Sequence, residues 1–383
     1  MRTLLLLPVA ALTLAAAPGG RGGGDPPAVI RPVADRRDDP ADAAIDRGLR
    51  YLAGGQNADG SWPGGMGGGV VFGPRGQMNM GGGGGDIAVT SLAVMAFMSA
   101  GHVPGEGRYG PAVERGIRWV LEKQGRNGVL APNAGQEMYH HGIATLMLAE
   151  ATGMTSGELA PHLRAGLERA VAVILTSQRK QGGFRGGMSG GWRYRAVDDG
   201  DSDLSVTGWQ LMALRAAKNV GCDIPAEYIQ AAVGYVKRSQ ARDGGFQYQP
   251  GSQVTIPCTG VGVLCLELSG KEYHLSDEVR AGGAYLFKNP LTPNSMHFYY
   301  GVYYVSQAMF QMGGDIWAAY RPEFHKTLLQ RNPPNGEGAW GARGGDAGIG
   351  GPAYATAMSV LALTVEYRFL PIYQRFEEPL ERD

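Results

Sequence analysis

Cysteine is scarce in this chain: Cys222, Cys258 and Cys265 are the only three in 383 residues. Three thiols do not make a disulfide framework. Cys258 and Cys265 fall in one expected helix, about 10 Å apart along its axis, too far to bond each other. Net charge is missing as well, because 35 basic and 35 acidic residues cancel. With no Lys/Arg run and no basic stripe, the electrostatic footprint of a nucleic-acid binder is absent. No apolar run is long enough for a transmembrane helix. Gly-x-Ser-x-Gly, P-loop and His-Glu-x-x-His motifs do not occur, and the glycine runs at 64–69 and 81–85 lack the Lys-Ser/Thr of a phosphate loop.

What remains is a chain rich in apolar residues (44%) and in glycine (62 residues). The glycines sit between apolar segments, which points to many sharp turns joining helices. Met1-Arg2-Thr3, the run Leu4–Leu14 and Ala15-Ala16-Ala17 have the layout of a secretory signal with a small-residue cleavage site. The expected organisation is a signal peptide at 1–17, a Gly/Pro/charge linker at 18–40, one repeat domain at 41–370 and a tail at 371–383. The mature protein is then exported, periplasmic or extracellular.

The domain is repetitive. Apolar helical patterns end in Gln, followed by a short turn, then Gly and usually an aromatic. The copies are Gln56-Asn-Ala-Asp59-Gly60-Ser61-Trp62, the looser Gln124 to Leu130, Gln178 to Phe184, Gln240-Ala-Arg-Asp243-Gly244-Gly245-Phe246, a faint one near Lys288-Asn289-Pro290, and Asn335 to Trp340. The helix before each turn carries a period-3.6 apolar stripe, as in Ile45–Ala53 and Val113–Lys123. The helix after it is apolar nearly all round, as in Ile87–Ala100, Leu204–Ala217 and Tyr299–Met312. An all-round apolar helix is buried, so six amphipathic helices are expected around six buried ones. The long insertions, 63–85, 185–202 and 341–351, all fall between turn and inner helix. One end of such a ring is therefore its variable mouth.

The turn Gln-x-x-Asp-Gly-(Gly/Ser)-(Phe/Trp) at 56–62 and 240–246 resembles the repeat of terpenoid cyclases and protein prenyltransferase β subunits, the prenyltransferase/squalene oxidase repeat family. The resemblance covers about residues 41 to 370. It implies an all-α fold, a single (α/α)6 toroid whose inner helices line a central apolar cavity. The turn chemistry agrees: Asp tightens the turn, glycine permits positive φ, and the aromatic packs between helical pairs.

The N-termini of the inner helices carry the site candidates. Aligned on Thr90, Gly142, Thr207, Thr259, Gly301 and Thr356, one column holds Asp86, Met138, Asp203, Thr255, His297 and Pro352. Another holds His141, Cys258 and Tyr300. Asp201-Ser202-Asp203-Leu204-Ser205 resembles the Asp-x-Asp-Asp-Thr acid motif of class II terpene cyclases. By that resemblance Asp203 is a general acid and Asp201 its neighbour, although Leu204 replaces the last Asp. The alternative is that Asp203 only caps its helix, worth about 1 kcal/mol, and Asp86 has the same two readings. Zinc-dependent prenyltransferases are similar in fold, but Ile256 stands where their ligand Asp is needed, and His141 and His297 are misplaced for Cys258. No metal and no cofactor are expected. Trp192 and Tyr194, with Arg185, Arg193 and Arg195, offer an anion- or sugar-binding rim or a salt-bridged loop. Tyr300 and its neighbours offer cation-stabilising faces or core packing. Met66, Met78 and Met80 suggest a flap over the mouth or an unstructured insertion.

Three functions fit. The first is a toroid binding an apolar small molecule or an envelope protein partner. The second is a terpene cyclase-like enzyme using Asp203. The third is a polysaccharide-acting enzyme built on Asp86, Asp203, His141, Tyr300 and the Arg-rich rim. Fold alone does not choose among them.

Overall fold

The computed structural model describes residues 39–64, 85–130, 136–180, 187–341 and 345–373. The expected signal segment, most of the linker, the Met66/Met78/Met80 insertion, and Phe184 with Arg185 lie outside these residues. Every described residue belongs to one compact unit, Ile30–Arg375. Among them are twelve α-helices, with isolated bridges in place of strands.

The helices alternate in role. The outer ones are α1 (Pro40–Gly54), α3 (Gly110–Glu122), α5 (Leu159–Ser177), α7 (Ala226–Arg238), α9 (Asp277–Lys288) and α11 (Gly314–Lys326). The inner ones are α2 (Ile87–Ser99), α4 (Glu137–Met154), α6 (Leu204–Asn219), α8 (Ile256–Ser269), α10 (Phe298–Met312) and α12 (Gly345–Leu363). Each inner helix packs on the next, and α12 packs back on α2, so the inner ring closes. The chain is an all-α (α/α)6 toroid.

Local sequence explains both classes. In α1 the buried residues are Ala41, Ala44, Ile45, Gly48, Leu49 and Leu52, one stripe at helical spacing. Asp39 caps it by accepting from the Ala41 amide at 2.9 Å, and Pro40 occupies the first turn, where its missing N–H costs nothing. All thirteen residues of α2 and all fifteen of α10 are buried. Such helices find no stable place except inside a wall of others.

The turns share one set of contacts. The side-chain amides of Gln56, Gln124, Gln178 and Gln240 each donate twice. One bond goes to a glycine carbonyl of the same turn (Gly60, Gly128, Gly190, Gly244). The other goes to a carbonyl of the next outer helix (Ala112, Gly166, Tyr228, Glu278). Those four glycines and Gly338 have φ between +84° and +95°. A Cβ on Gly338 would lie 2.5 Å from the Arg47 carbonyl, so the sixth turn packs on the first outer helix. The outer ring closes as the inner one does.

This contact set corrects the third turn. The glycine clamped by Gln178 is Gly190, and the aromatic is Trp192, fully buried with its indole N–H on the Ile174 carbonyl at 2.8 Å. The Gly182-Gly183-Phe184 stretch imitates the motif in sequence and lies outside the described residues. It belongs to an insertion between Gln178 and the true glycine, where spacing along the chain misleads.

Aromatic side chains of the inner helices reach into the space that the ring encloses. Trp209 of α6 stacks on Tyr303 of α10, with ring centroids 5.4 Å apart and planes 11° from parallel. Tyr139 of α4 hydrogen-bonds Tyr300 of α10, directly across the ring. These helices are not neighbours, so their aromatic side chains cross the space the ring encloses. At the C-terminal end of the inner helices, Pro371–Tyr373 forms a short 3-10 turn with Ile372 and Tyr373 buried, packed on α4 and α6.

Candidate functional site

The N-termini of the inner helices meet the inserted loops at one end of the ring. Asp86, Asp203 and Thr255 are the N-caps of α2, α6 and α8. Each side chain accepts from the amide three residues on, that of Val89, Val206 and Cys258 respectively. A capping oxygen satisfies one of the helix's orphan donors. His297 caps α10 with its backbone alone, in the left-handed region at φ 53°. At α4 the cap is Gln136, two residues before the aligned Met138.

Asp203 does more than cap. It is completely buried. Oδ1 accepts from Val206 N at 2.9 Å and from Ser205 Oγ at 2.6 Å. Oδ2 faces Arg193, whose Nε stands 4.0 Å from it, and the Tyr248 hydroxyl also bonds the carboxyl. Burial, which disfavours the charged form, pushes the Asp203 pKa above the ordinary carboxylate value, against the pull of Ser205, the Val206 amide and Arg193.

Around it lies a shell of hydroxyls. Tyr194 and Tyr248 hydrogen-bond each other through their hydroxyls. The Arg193 guanidinium lies over both rings, 4.9 and 5.8 Å from their centroids. Both tyrosines stand two residues after a turn aromatic, Trp192 and Phe246. Both reach back one repeat by the backbone: Tyr194 O accepts from Met138 N, and Tyr248 O from Leu204 N. Tyr139 reaches Ser205 and Tyr300 from the interior. Burial raises the pKa of Tyr139, Tyr194, Tyr248 and Tyr300, keeping all four as neutral hydroxyls.

Asp201 is half-exposed. Its Oδ2 pairs with Arg193 Nη1 at 3.1 Å, and its Oδ1 accepts from Gln249 Nε2 at 2.8 Å. The acidic loop is further pinned by Arg179, which is 1% exposed and bonds Asp199 Oδ1, Asp201 O and Ser177 O. Of the Arg-rich rim, Arg193 is thus tied by ion pairs to Asp201 and Asp203.

The other candidates divide. Asp86 is buried next to His140, with Nε2 3.6 Å from Oδ2. Burial opposes the charge on His140, but the hydrogen bond and charge of Asp86 hold its pKa above the usual histidine value. His141 is spent on the scaffold. Leu130 N donates to its Nδ1 at 3.0 Å, and its Nε2 reaches Ala170 O at 3.0 Å. In four other repeats a threonine hydroxyl takes the same amide: Thr90 for Trp62, Thr207 for Trp192, Thr259 for Phe246, Thr356 for Trp340. Its burial pushes its pKa down to about 4. Trp192 likewise serves the turn. Tyr300 joins the Asp203 cluster, its hydroxyl 3.5 Å from Ser205 O.

Sequence reasoning missed Tyr139, Tyr248, Ser205 and Arg179. The tyrosines had a signal, the shared offset of Tyr194 and Tyr248 from the turn aromatic. Arg179 had none, since its value depends on a loop that returns twenty residues later. Among the described residues, no three His, Cys, Asp or Glu gather to hold a metal, and no helix is long and apolar enough to cross a membrane. All three cysteines are free and buried.

The geometry defines an (α/α)6 toroid with a carboxyl-bearing mouth, and several solved structures are similar to it in fold. One is an α-1,6-mannanase of Salegentibacter sp. HEL1_6, at 11% identity over 87% of this chain and 99% of that one, TM-score 0.59. Another is a type II terpene cyclase from Scytonema, at 14% identity over 86% and 99%, TM-score 0.56. A third is a cellobiose 2-epimerase from Bacillus thermoamylovorans, at 11% over 85% and 98%, TM-score 0.56. No protein-family profile matches this sequence, and no curated protein matches it. At these identities the likeness concerns the fold, which terpene-cyclising and sugar-processing enzymes share.

Proposed function

We propose that this toroid binds a small molecule at the mouth around Asp203, and that Asp203 serves there as a proton donor. The observation that carries this is the second oxygen of Asp203. Thr255 caps α8 with a single hydroxyl oxygen, so a cap does not need a carboxyl. A completely buried carboxyl whose Oδ2 meets Arg193 only at 4.0 Å is costly to keep charged, and its raised pKa suits general-acid work near neutral pH.

The surrounding Tyr139, Tyr194, Tyr248 and Tyr300 favour a ligand that is mainly apolar and electron-rich, such as an isoprenoid alkene, whose developing cation their faces would stabilise. Leu204 departs from the acid motif of cyclases, and the aromatic packing across the ring favours a substrate seated at the mouth over one threaded deep. A second reading, action on a glycan, draws support from the half-exposed Asp201 and from Arg193 lying on two tyrosine faces. The N-terminal signal pattern supports an exported protein, testable by the N-terminal sequence and cell fraction of the mature chain.

The experiment is to purify the mature chain and identify co-purifying small molecules by mass spectrometry. Wild type, Asp203→Asn and Asp203→Thr are then incubated with squalene, geranylgeraniol or mannan oligosaccharides. The expected result is a ligand or product with wild type that both variants lose while keeping their fold. Equal retention and no product in all three would leave Asp203 as a cap and overturn the donor assignment.

A further inference from the structure

A second buried carboxyl lies at the base of the ring, the end opposite the mouth. Glu150, near the end of α4, is 1% exposed and is the one acidic residue among the buried residues of that helix. Its Oε2 accepts from Ile372 N at 3.3 Å, and its Oε1 has no hydrogen bond. The proposed chemistry at the mouth makes no use of it.

The Ile372 amide belongs to the C-terminal turn, Pro371–Tyr373. Leu370, Ile372 and Tyr373 are buried, and the turn packs on α4 and α6. A Cβ on Gly153 of α4 would lie 3.2 Å from Pro371 Cγ, so the seat is close-fitting. Three polar ties hold the turn there. Glu150 of α4 takes the Ile372 amide. Gln311 of α10 donates from Nε2 to Tyr373 O at 3.3 Å. The Tyr373 and Tyr303 hydroxyls bond each other. The turn thus touches α4, α6 and α10 at the base.

Burial keeps both tyrosines protonated, so only the Glu150 tie can change its charge near neutral pH. A neutral side chain such as glutamine would accept the same amide bond. The titratable groups that face Glu150 are Tyr303 of α10 and Tyr373 of the turn. Among the described residues, no charged group of α2, α3, α5 or α6, the other elements packed on α4, acts on it. An ionised Glu150 is therefore a buried charge met by a single amide, which is costly. Hydrating it means moving something that packs on α4, and the three-residue turn is the smallest such element.

We propose that Glu150 is a pH-sensitive latch: protonated, it holds Pro371–Tyr373 on the base of the ring, and on losing its proton to solvent it lets that turn go. The latch does not depend on the reading of Asp203. Burial pushes the Glu150 pKa up from 4.5 to about 8, against the pull of the Ile372 amide. A carboxyl raised in this way favours docking fully below its ordinary value of 4.5, and the advantage is lost as pH climbs from there to about 8. Docking should weaken by up to about tenfold per pH unit across that window.

Hydrogen exchange of the full chain, read by mass spectrometry and divided by the intrinsic chemical rate, tests this between about pH 5.5 and about pH 8. In wild type the protection of the peptide carrying Ile372 and Tyr373 should fall by about tenfold or more, while α2 keeps its own. Glu150→Gln should abolish the fall, and Glu150→Leu serves the same purpose should Glu150→Gln melt early. Gln311→Ala removes an uncharged tie and should lower protection by one constant factor throughout. A flat wild-type profile overturns the latch. So does a wild-type fall that the non-ionising variants reproduce, or a simultaneous loss of protection in α2, which would mean unfolding of the whole ring.

Discussion

In the fourth repeat the clamping glutamine and its glycine, Gln240 and Gly244, are four residues apart; in the third, Gln178 and Gly190 are twelve apart. Yet both turns make the same bonds, the same φ near +89° and the same threonine-to-aromatic contact. Lengthening the loop from four to twelve residues costs about 1 kcal/mol of closure entropy, less than the two buried hydrogen bonds of the clamp return. The turn is held by side chain to backbone contacts that do not care how the intervening chain travels. The fourth repeat is therefore the bare scaffold. The third is the same scaffold carrying a polar loop, and its cap is a carboxyl where the fourth has a hydroxyl.

The largest expected effect tests the shared scaffold. Gly190→Ala and Gly244→Ala would each place a Cβ against backbone, 2.1 Å from Ala231 O and 2.6 Å from Ala281 O. Each should cost about 3 kcal/mol or more in denaturant unfolding, Gly190→Ala the more. A large loss at only one of the two positions would break the equivalence.

Next comes His141, the second repeat's substitute for threonine. Its folded pKa of about 4 lies below the unfolded value of about 6.5. The folded state thus binds the proton less well. Its contribution is complete above the unfolded value and is lost as pH falls from about 6.5 to about 4, by about 3 kcal/mol. His141→Thr should flatten that acid limb in melting curves.

Gln178→Ala and Gln240→Ala each leave the turn glycine carbonyl without a donor and remove a second bond to a helix carbonyl that keeps its intrahelical donor. About 2 kcal/mol is expected for each, with the larger loss at the buried Gln178. The smallest effects separate the caps. Thr255→Ala should cost about 1 kcal/mol, with no pH signature. Asp203→Asn should keep its cap and change the pH profile. The Asp203 pKa is raised in the fold, so wild-type stability falls as pH climbs from the ordinary carboxylate range through the folded value, and the Asn variant should lose that fall.

Much of this was legible in the chain. The period-3.6 stripe of α1 and the all-round apolar α2 and α10 announced two layers before any coordinates. Asp86, Asp203 and Thr255 were placed in one column by alignment, and they are three equivalent caps. The third turn misled because Gly182-Gly183-Phe184 imitates the motif. Only the position of the Gln178 amide shows that Gly190 and Trp192 are the partners. His141 fell in a candidate column for the same reason: a histidine and a threonine play one role here, and spacing does not reveal that a ring nitrogen can stand in for a hydroxyl.

The sequence by itself determined the layering, the six-fold count and the end of the ring where polar loops gather. Those follow from periodicity and glycine placement, which act over a few residues. Tertiary structure alone decided that Arg193 and Tyr248 meet the buried Asp203, that Arg179 is buried beneath the acidic loop, and that aromatic side chains from non-adjacent helices meet inside the ring. Each of these depends on groups far apart in the chain meeting at a fixed distance, and burial, pairing and pKa are properties of that meeting.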